Sequence, residues 1–187
     1  LEILKPVVEE KDKMNQLPTN DQRPTTISYV SYSQLQTFDI CPLHYKLKYI
    51  LKLPSAPSPA LSYGITMHSL LKTIYQMGFP KVAILPESMT QLVEKHWIRE
   101  GFESKEHETK AQEEAKKLFA SYLTRHKDDM IIPAATEFPF QFMVKNLKVL
   151  GRFDRIDKKG DEKIEIIDYK TGNNIPDEKK LKNDLQL

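Results

Sequence analysis

Asp154, Asp168 and Lys170 are the residues whose types and spacing could do chemistry, and they lie in one stretch, GRFDRIDKKGDEKIEIIDYK, from Gly151 to Lys170. Leu147 to Ile156 is rich in β-branched, apolar and aromatic residues, and Ile164, Ile166 and Ile167 mark a second short strand. Lys158-Lys159-Gly160-Asp161 supplies the turn between them. Residues two apart on a strand share a face, so Asp168 and Lys170 point one way and Ile167 and Tyr169 the other. If the hairpin pairs Asp154 near Asp168, two carboxylates and one ammonium meet. Like charges that close push one carboxylate towards protonation, and a divalent cation removes the conflict. Hard oxygen ligands suit Mg²⁺ or Mn²⁺. The lysine can then orient or activate a water, or neutralise charge developing on a phosphate. D-x-K on an exposed strand is usually solvated charge. Here Ile164-Glu165-Ile166-Ile167 reads as a central apolar strand, where charges need a partner or a metal.

The elements that must position these residues follow from periodicity. Phe138, Phe140, Phe142 and Val144 alternate with Glu137, Pro139, Gln141 and Met143, a half-buried strand. Lys145-Asn146 turns it into the Leu147–Ile156 strand, so three strands form an antiparallel meander. Upstream, Ser31 or Ser33 caps a helix with Leu35, Phe38 and Ile40 towards one side, ended by Cys41-Pro42. A second helix spans roughly Leu43 to Leu51, and Pro54 to Pro59 reads as a loop. Tyr63 to His68 leads into a helix carrying Leu70, Leu71, Ile74 and Tyr75, closed by Gly78-Phe79-Pro80. Another helix starts at Pro86-Glu87 and runs to about Gly101, with Met89, Leu92, Val93 and Trp97 as its apolar side. Residues 105–127 form the clearest helix. Ala111, Ala115, Leu118, Phe119, Tyr122 and Leu123 make its stripe, and Glu113–Lys117 an i,i+4 pair. Both of these helices read as scaffold. Asp177 onwards is a polar helix start.

Composition sets bounds. The 187 residues suffice for one domain with a core. Lys+Arg is 28 against 26 Asp+Glu, a balance that does not by itself announce nucleic acid. Basic residues do cluster locally at Lys46-Leu47-Lys48, Lys52 and Lys179-Lys180. The single cysteine, Cys41, excludes an internal disulfide framework and fits a reducing, cytoplasmic setting. No apolar run reaches membrane-spanning length. Residues 1–27 are polar, charged and proline-bearing, and read as a linker or arm. The chain opens on Leu1, so we read it as a fragment of a longer polypeptide.

The motifs G-R-x-D-R-I-D and I-I-D-Y-K-T-G resemble the RecB-like branch of the PD-(D/E)XK nucleases. The resemblance covers about residues 28–187, with an insertion-like helical region at 80–130. It implies an α/β fold with a restriction-endonuclease-like core: a small central mixed sheet flanked by helices, preceded by an N-terminal helical part that brings His68 to the sheet. It implies metal-dependent hydrolysis of DNA phosphodiester bonds, exonuclease-like. Asp154, Asp168 and the backbone carbonyl of Tyr169 would hold Mg²⁺ or Mn²⁺. His68 would be a further ligand, since G-x-x-x-H-x-x-L resembles the family's histidine motif. Lys170 would be the catalytic lysine, and Gln186 would match a glutamine near the scissile phosphate. The tyrosine that follows that glutamine in the family is missing, so we expect the C-terminal end to be truncated.

S-x-S-x-L-x-x-F-x-x-C-P-x-x-Y also resembles the family's opening segment, in which some members use the cysteine to hold an iron–sulfur cluster. One thiolate cannot, so Cys41 is expected to be a buried structural residue. Glu137 falls near an acidic position whose role varies in the family, and we leave it outside the site. The resemblance further implies single-stranded DNA as partner and fusion to, or association with, a UvrD-like helicase in repair or recombination. A second reading is a catalytically inactive nuclease-like module that binds DNA or docks on a helicase. A third is a small-molecule or protein-interaction domain without nucleic acid.

Overall fold

The computed structural model describes residues 27–129, 131–160 and 162–172. The expected arm before Ile27, Asp161 of the turn, the helix start at Asp177 and Gln186 lie outside the described residues. Among those residues the chain forms a mixed α/β fold of five α-helices and a four-stranded sheet. The strands are β1 (Tyr29–Val30), β2 (Ala135–Val144), β3 (Leu147–Lys158) and β4 (Ile164–Ile167). The helices are α1 (Tyr32–Ile40), α2 (Pro42–Tyr45), α3 (Pro59–Gln76), α4 (Pro86–His96) and α5 (Lys105–His126). None of the described helices is long and apolar enough to cross a membrane.

α3 is the axis of the core. Ser58 accepts from the Leu61 N–H at 3.3 Å and caps it. Pro59 occupies the first turn, where a missing N–H costs nothing. The helix therefore begins inside the stretch that reads as a loop. Met67, Leu70, Leu71, Ile74 and Tyr75 are its buried stripe, closed by Val93 of α4, Trp97 just after it, and Ala115 and Phe119 of α5. The region that looks like an insertion thus supplies four of the ten buried core residues. α4 stops at His96 rather than near Gly101 because α3 takes over the chain beyond it. The buried Thr66 hydroxyl accepts from the Ile98 N–H and donates to the His96 carbonyl, and Ser62 donates to the Glu100 carbonyl at 2.7 Å.

Other local expectations shift for identifiable reasons. Cys41 is only partly buried: its Sγ accepts from the His44 N–H at 3.4 Å and caps α2. A π-helical turn, Lys46–Ile50, continues α2. Leu35, Phe38 and Ile40 of α1 are exposed, and Gln34 is its buried residue. On α5, Leu118 leaves the stripe for the surface, and Glu113 pairs with Lys116 instead of Lys117, at 2.9 Å.

β2, β3 and β4 form the antiparallel meander read from the sequence. β1, two residues long, adds in parallel beside β3 at Lys148 and Val149, and makes the sheet mixed. Such a short strand has no period to recognise. β2 covers one edge of β3, and β1 and β4 share the other. A central strand was expected here; among the described residues β4 pairs only with β3 and exposes Ile164 and Ile166. β3 runs on to Lys158, and residues 159–163 make the connection, a longer one than the four-residue turn expected.

Gly151 makes room for a ring on the neighbouring strand. Phe140 faces it across the β2–β3 ladder and stacks on Phe153 with ring centroids 4.4 Å apart. A Cβ on Gly151 would stand 2.1 Å from the Phe140 ring. Gly151→Val must therefore push this ring off Phe153, the neighbour of Asp154. We expect a loss of about 1–3 kcal/mol, typical of overpacking, read as a lower denaturant midpoint. An unchanged midpoint would contradict the packing described.

Candidate metal centre

Register places three carboxylates in a row. Thr136 faces Arg155 and Phe138 faces Phe153, so Glu137 stands opposite Asp154. On the other side Arg155 faces Ile167, and Asp168 is the next residue along, beside Asp154. Residues opposite one another across a ladder share a face. Asp154 is thus the middle member of Glu137, Asp154 and Asp168. Glu137 adopts φ of 51°, a left-handed backbone that is rare outside glycine. Such a conformation persists where the surroundings over-determine it, typically near functional groups.

α3 delivers His68 to this row. Its Nδ1 lies 3.3 Å from Asp154 Oδ1 and 3.8 Å from Glu137 Oε1. Its Nε2 lies 3.2 Å from the Tyr169 carbonyl. A carbonyl only accepts, so Nε2 carries hydrogen and donates. A neutral ring then aims a bare Nδ1 lone pair at two carboxylates, which is repulsive. Either a proton on Nδ1 or a cation between the groups resolves this. The proton's preference is visible in the electrostatics. The hydrogen bond to Asp154 and the nearby carboxylates raise the His68 pKa above the ordinary imidazole value, against the opposing pull of burial. Burial alone would raise Asp154. The hydrogen bonds from His68 and the Tyr169 N–H, with the charges of His68 and Lys170, outweigh it and hold Asp154 below the usual carboxylate range.

The cation alternative fits the same atoms. His68, Glu137 and Asp154 each offer one ligand atom within 4.8 Å of the others. Carboxylate oxygens with one imidazole match a hard or borderline divalent ion such as Mg²⁺ or Mn²⁺. The Nε2–H···O=C bond to Tyr169 is the kind of contact that orients a ligating histidine.

Tyr169 ties this centre to the core. Its N–H donates to Asp154 Oδ2 at 2.7 Å, while its ring stands edge-on to those of His68 and Tyr122. Beneath lies a buried ion pair: Arg155 donates from Nε and Nη2 to the two Asp157 oxygens at 2.7 and 2.6 Å. Arg155 also donates to the Tyr75 hydroxyl and lies over the Tyr75 ring. Burial pushes Tyr75 up to about 12 and raises Tyr122 and Tyr169 likewise. These phenols stay neutral partners of the ion pair at any physiological pH.

Of the residues singled out from the sequence, His68, Asp154 and Tyr169 come together directly. Lys170 and Asp168 lie on the same side, as alternation requires, with Nζ 2.7 Å from Asp168 Oδ2. Asp168 is outside the His68–Glu137–Asp154 group but lines the groove that also exposes Asp154. The Tyr169 carbonyl, assigned to a metal by resemblance, here accepts from His68. Glu137 is the residue the sequence reading passed over. The signal for it was present: counting back from the Lys145-Asn146 turn puts Glu137 opposite Asp154. Its second oxygen accepts from Arg152 Nη1 at 3.0 Å.

The description of the PD-(D/E)XK nuclease superfamily matches residues 29–187, and the chain belongs to that superfamily. Comparison with curated proteins gives no significant match.

The pKa shifts set a pH window for the metal-free protein. A raised folded pKa at His68 contributes stability that is fully present below the unfolded value of about 6.5 and is lost as pH rises through the folded value. A lowered Asp154 contributes stability present above about pH 4, lost as pH falls through its folded value. With EDTA present, His68→Gln should therefore cost most between those limits. The gap between the denaturant midpoints of the variant and the unchanged protein should shrink as pH is raised to 9. A gap that stays constant from pH 6 to 9 would sink the assignment of an imidazolium between these carboxylates.

Proposed function

We propose that the protein is a Mg²⁺- or Mn²⁺-dependent DNA nuclease of the RecB-like kind that hydrolyses phosphodiester bonds. The observation that carries this reading is the convergence of ligand atoms from His68, Glu137 and Asp154 within 4.8 Å of one another, with Asp168 and Lys170 beside them, in a chain of the nuclease superfamily. His68, Asp154 and Asp168 would hold the cation, and Glu137 joins them on geometry. The Tyr169 carbonyl could join only if the imidazole released it. Bound there, a divalent ion would polarise a phosphoryl oxygen and lower the pKa of a coordinated water. Lys170, two residues past Asp168 and held by it, would position the attacking water and offset the negative charge that grows on the phosphate. Tyr169 keeps Asp154 and the His68 ring aimed at the same point. Gln186 remains assigned near the scissile phosphate by resemblance alone.

The finer setting is also part of the proposal: single-stranded DNA as substrate, exonuclease-like action, and work as the nuclease module of a UvrD-like helicase in repair or recombination. The RecB-like motifs support this setting, which remains fold-level analogy.

Labelled single-stranded DNA should be cut in the presence of Mn²⁺ or Mg²⁺. Asp168→Ala and Lys170→Ala should each lower the rate by about 10²-fold or more, the scale of losing one acid–base or electrostatic catalyst. Cleavage that survives both substitutions would refute the assignment. A protein that binds the ion and DNA yet cuts nothing would be the inactive module instead.

A further inference from the structure

α3 carries a stripe that the metal centre uses at one point only. Leu61, Ile65, His68 and Lys72 recur at intervals of four, three and four, which places them on one face of the helix. At ~1.5 Å per residue the stripe is roughly 16 Å long. It lines a cleft of about 450 Å³ that also takes in Glu137 and Arg152 from the sheet. That is enough room for a small-molecule-sized group, since such sites run from about 300 to 1,000 Å³.

The chemistry of the cleft changes along its length. At one end Leu61 and Ile65 are 58% and 46% exposed, apolar side chains that the core does not use. In the middle is His68, shared with the metal centre. One turn further on is Lys72, exposed and without an ion pair among the described residues. Arg152 of β3 lines the same cleft; it is held by Glu137 Oε2 at 3.0 Å, and its side chain is 62% exposed. Helix capping and core packing account for none of Leu61, Ile65, Lys72 or Arg152. Together they present two cations and an apolar wall, contiguous with a candidate phosphodiester-cleaving centre.

A polynucleotide matches both halves of that surface. Phosphate oxygens answer Lys72 and Arg152, and Arg152 at the same time neutralises the Glu137 carboxylate that would otherwise repel them. The apolar wall requires an exposed base face. In a duplex both faces of every base are covered by stacking, whereas an unstacked single strand has them free. An inorganic anion would leave Leu61 and Ile65 without a partner.

We propose that this cleft seats the nucleotide adjoining the scissile phosphate of single-stranded DNA, with Lys72 and Arg152 on its backbone phosphate and Leu61 and Ile65 against its base. The proposal rests on the nuclease reading of the adjoining centre.

The test is binding of a labelled oligothymidine to the full chain, followed by anisotropy in EDTA so that nothing is cut. Three proteins are compared across a salt series: unchanged, Lys72→Ala, and Leu61→Ala with Ile65→Ala. Alanine at these exposed helical positions preserves the helix. Lys72→Ala should weaken binding several-fold and reduce the slope of log affinity against log salt by about 0.7, one phosphate contact on a single strand. The Leu61/Ile65 variant should keep the slope, weaken oligothymidine several-fold, and bind an abasic sugar-phosphate oligomer as tightly as the unchanged protein does. If the unchanged protein cuts DNA with Mn²⁺ but all three proteins bind alike, the cleft is not the strand's path and the nuclease reading stands. If it neither cuts nor binds under any condition, both fail together. Equal weakening of intact and abasic oligomers by the Leu61/Ile65 substitutions would overturn the base contact.

Discussion

The main chain of Tyr169 holds together two parts of the molecule, the sheet and α3, that no ladder joins among the described residues. Its N–H is bonded to Asp154 Oδ2 at 2.7 Å, and its carbonyl lies 3.2 Å from His68 Nε2. One residue thus sets the distance between β3, the end of β4 and α3. Its position is fixed from below, because its ring packs against Tyr122 and the helical core. Beside that ring is the fold's electrostatically costly feature, Arg155 with Asp157, 5% and 1% exposed. Burying two charges is tolerable only when their hydrogen-bonding capacity is filled. Here the guanidinium is forked onto the carboxylate and bonded to Tyr75. A misplacement of Tyr169 would be felt both in this network and in the candidate metal centre.

α3 shows how one helix can serve two purposes. Its buried stripe of Met67, Leu70, Leu71 and Ile74 anchors it to α4 and α5. The neighbouring stripe, from Leu61 to Lys72, is left to face the sheet across the cleft. The core therefore determines where His68 points, since the two stripes are locked to one another by the helical repeat. This explains why helices that resemble an insertion matter to the site. Val93, Trp97, Ala115 and Phe119 pack against the buried stripe of α3 and so help to fix its rotation.

Much of this was legible in the sequence. The alternation of Phe138, Phe140 and Phe142, the Lys145-Asn146 turn and the isoleucines of β4 all read correctly as a meander, because side-chain period and turn chemistry agree there. Asp154, Asp168 and Lys170 were singled out by type and spacing and His68 through its motif, and the structure brings His68 and Asp154 together. What escaped depended on contacts distant in sequence. Glu137 belongs beside His68 through strand register and an unusual backbone angle, neither of which a residue-type motif records. β4 looked central from its isoleucines, yet among the described residues it has one partner, because apolarity reveals burial tendency and not strand order. Cys41 is a helix cap, a role set by the proline after it. The tertiary stop of α4 by Thr66 has no local signal at all.

The central claim is that His68, Asp154 and their neighbours form a site for one divalent cation. Calorimetric titration of Mn²⁺ into the chain, at a pH above the His68 titration, tests it without relying on catalysis. One ion per chain should bind, with the heat abolished by Asp154→Ala and retained by Lys170→Ala, which removes no ligand. A folded protein that takes up no Mn²⁺, or takes it up equally after Asp154→Ala, would contradict the claim.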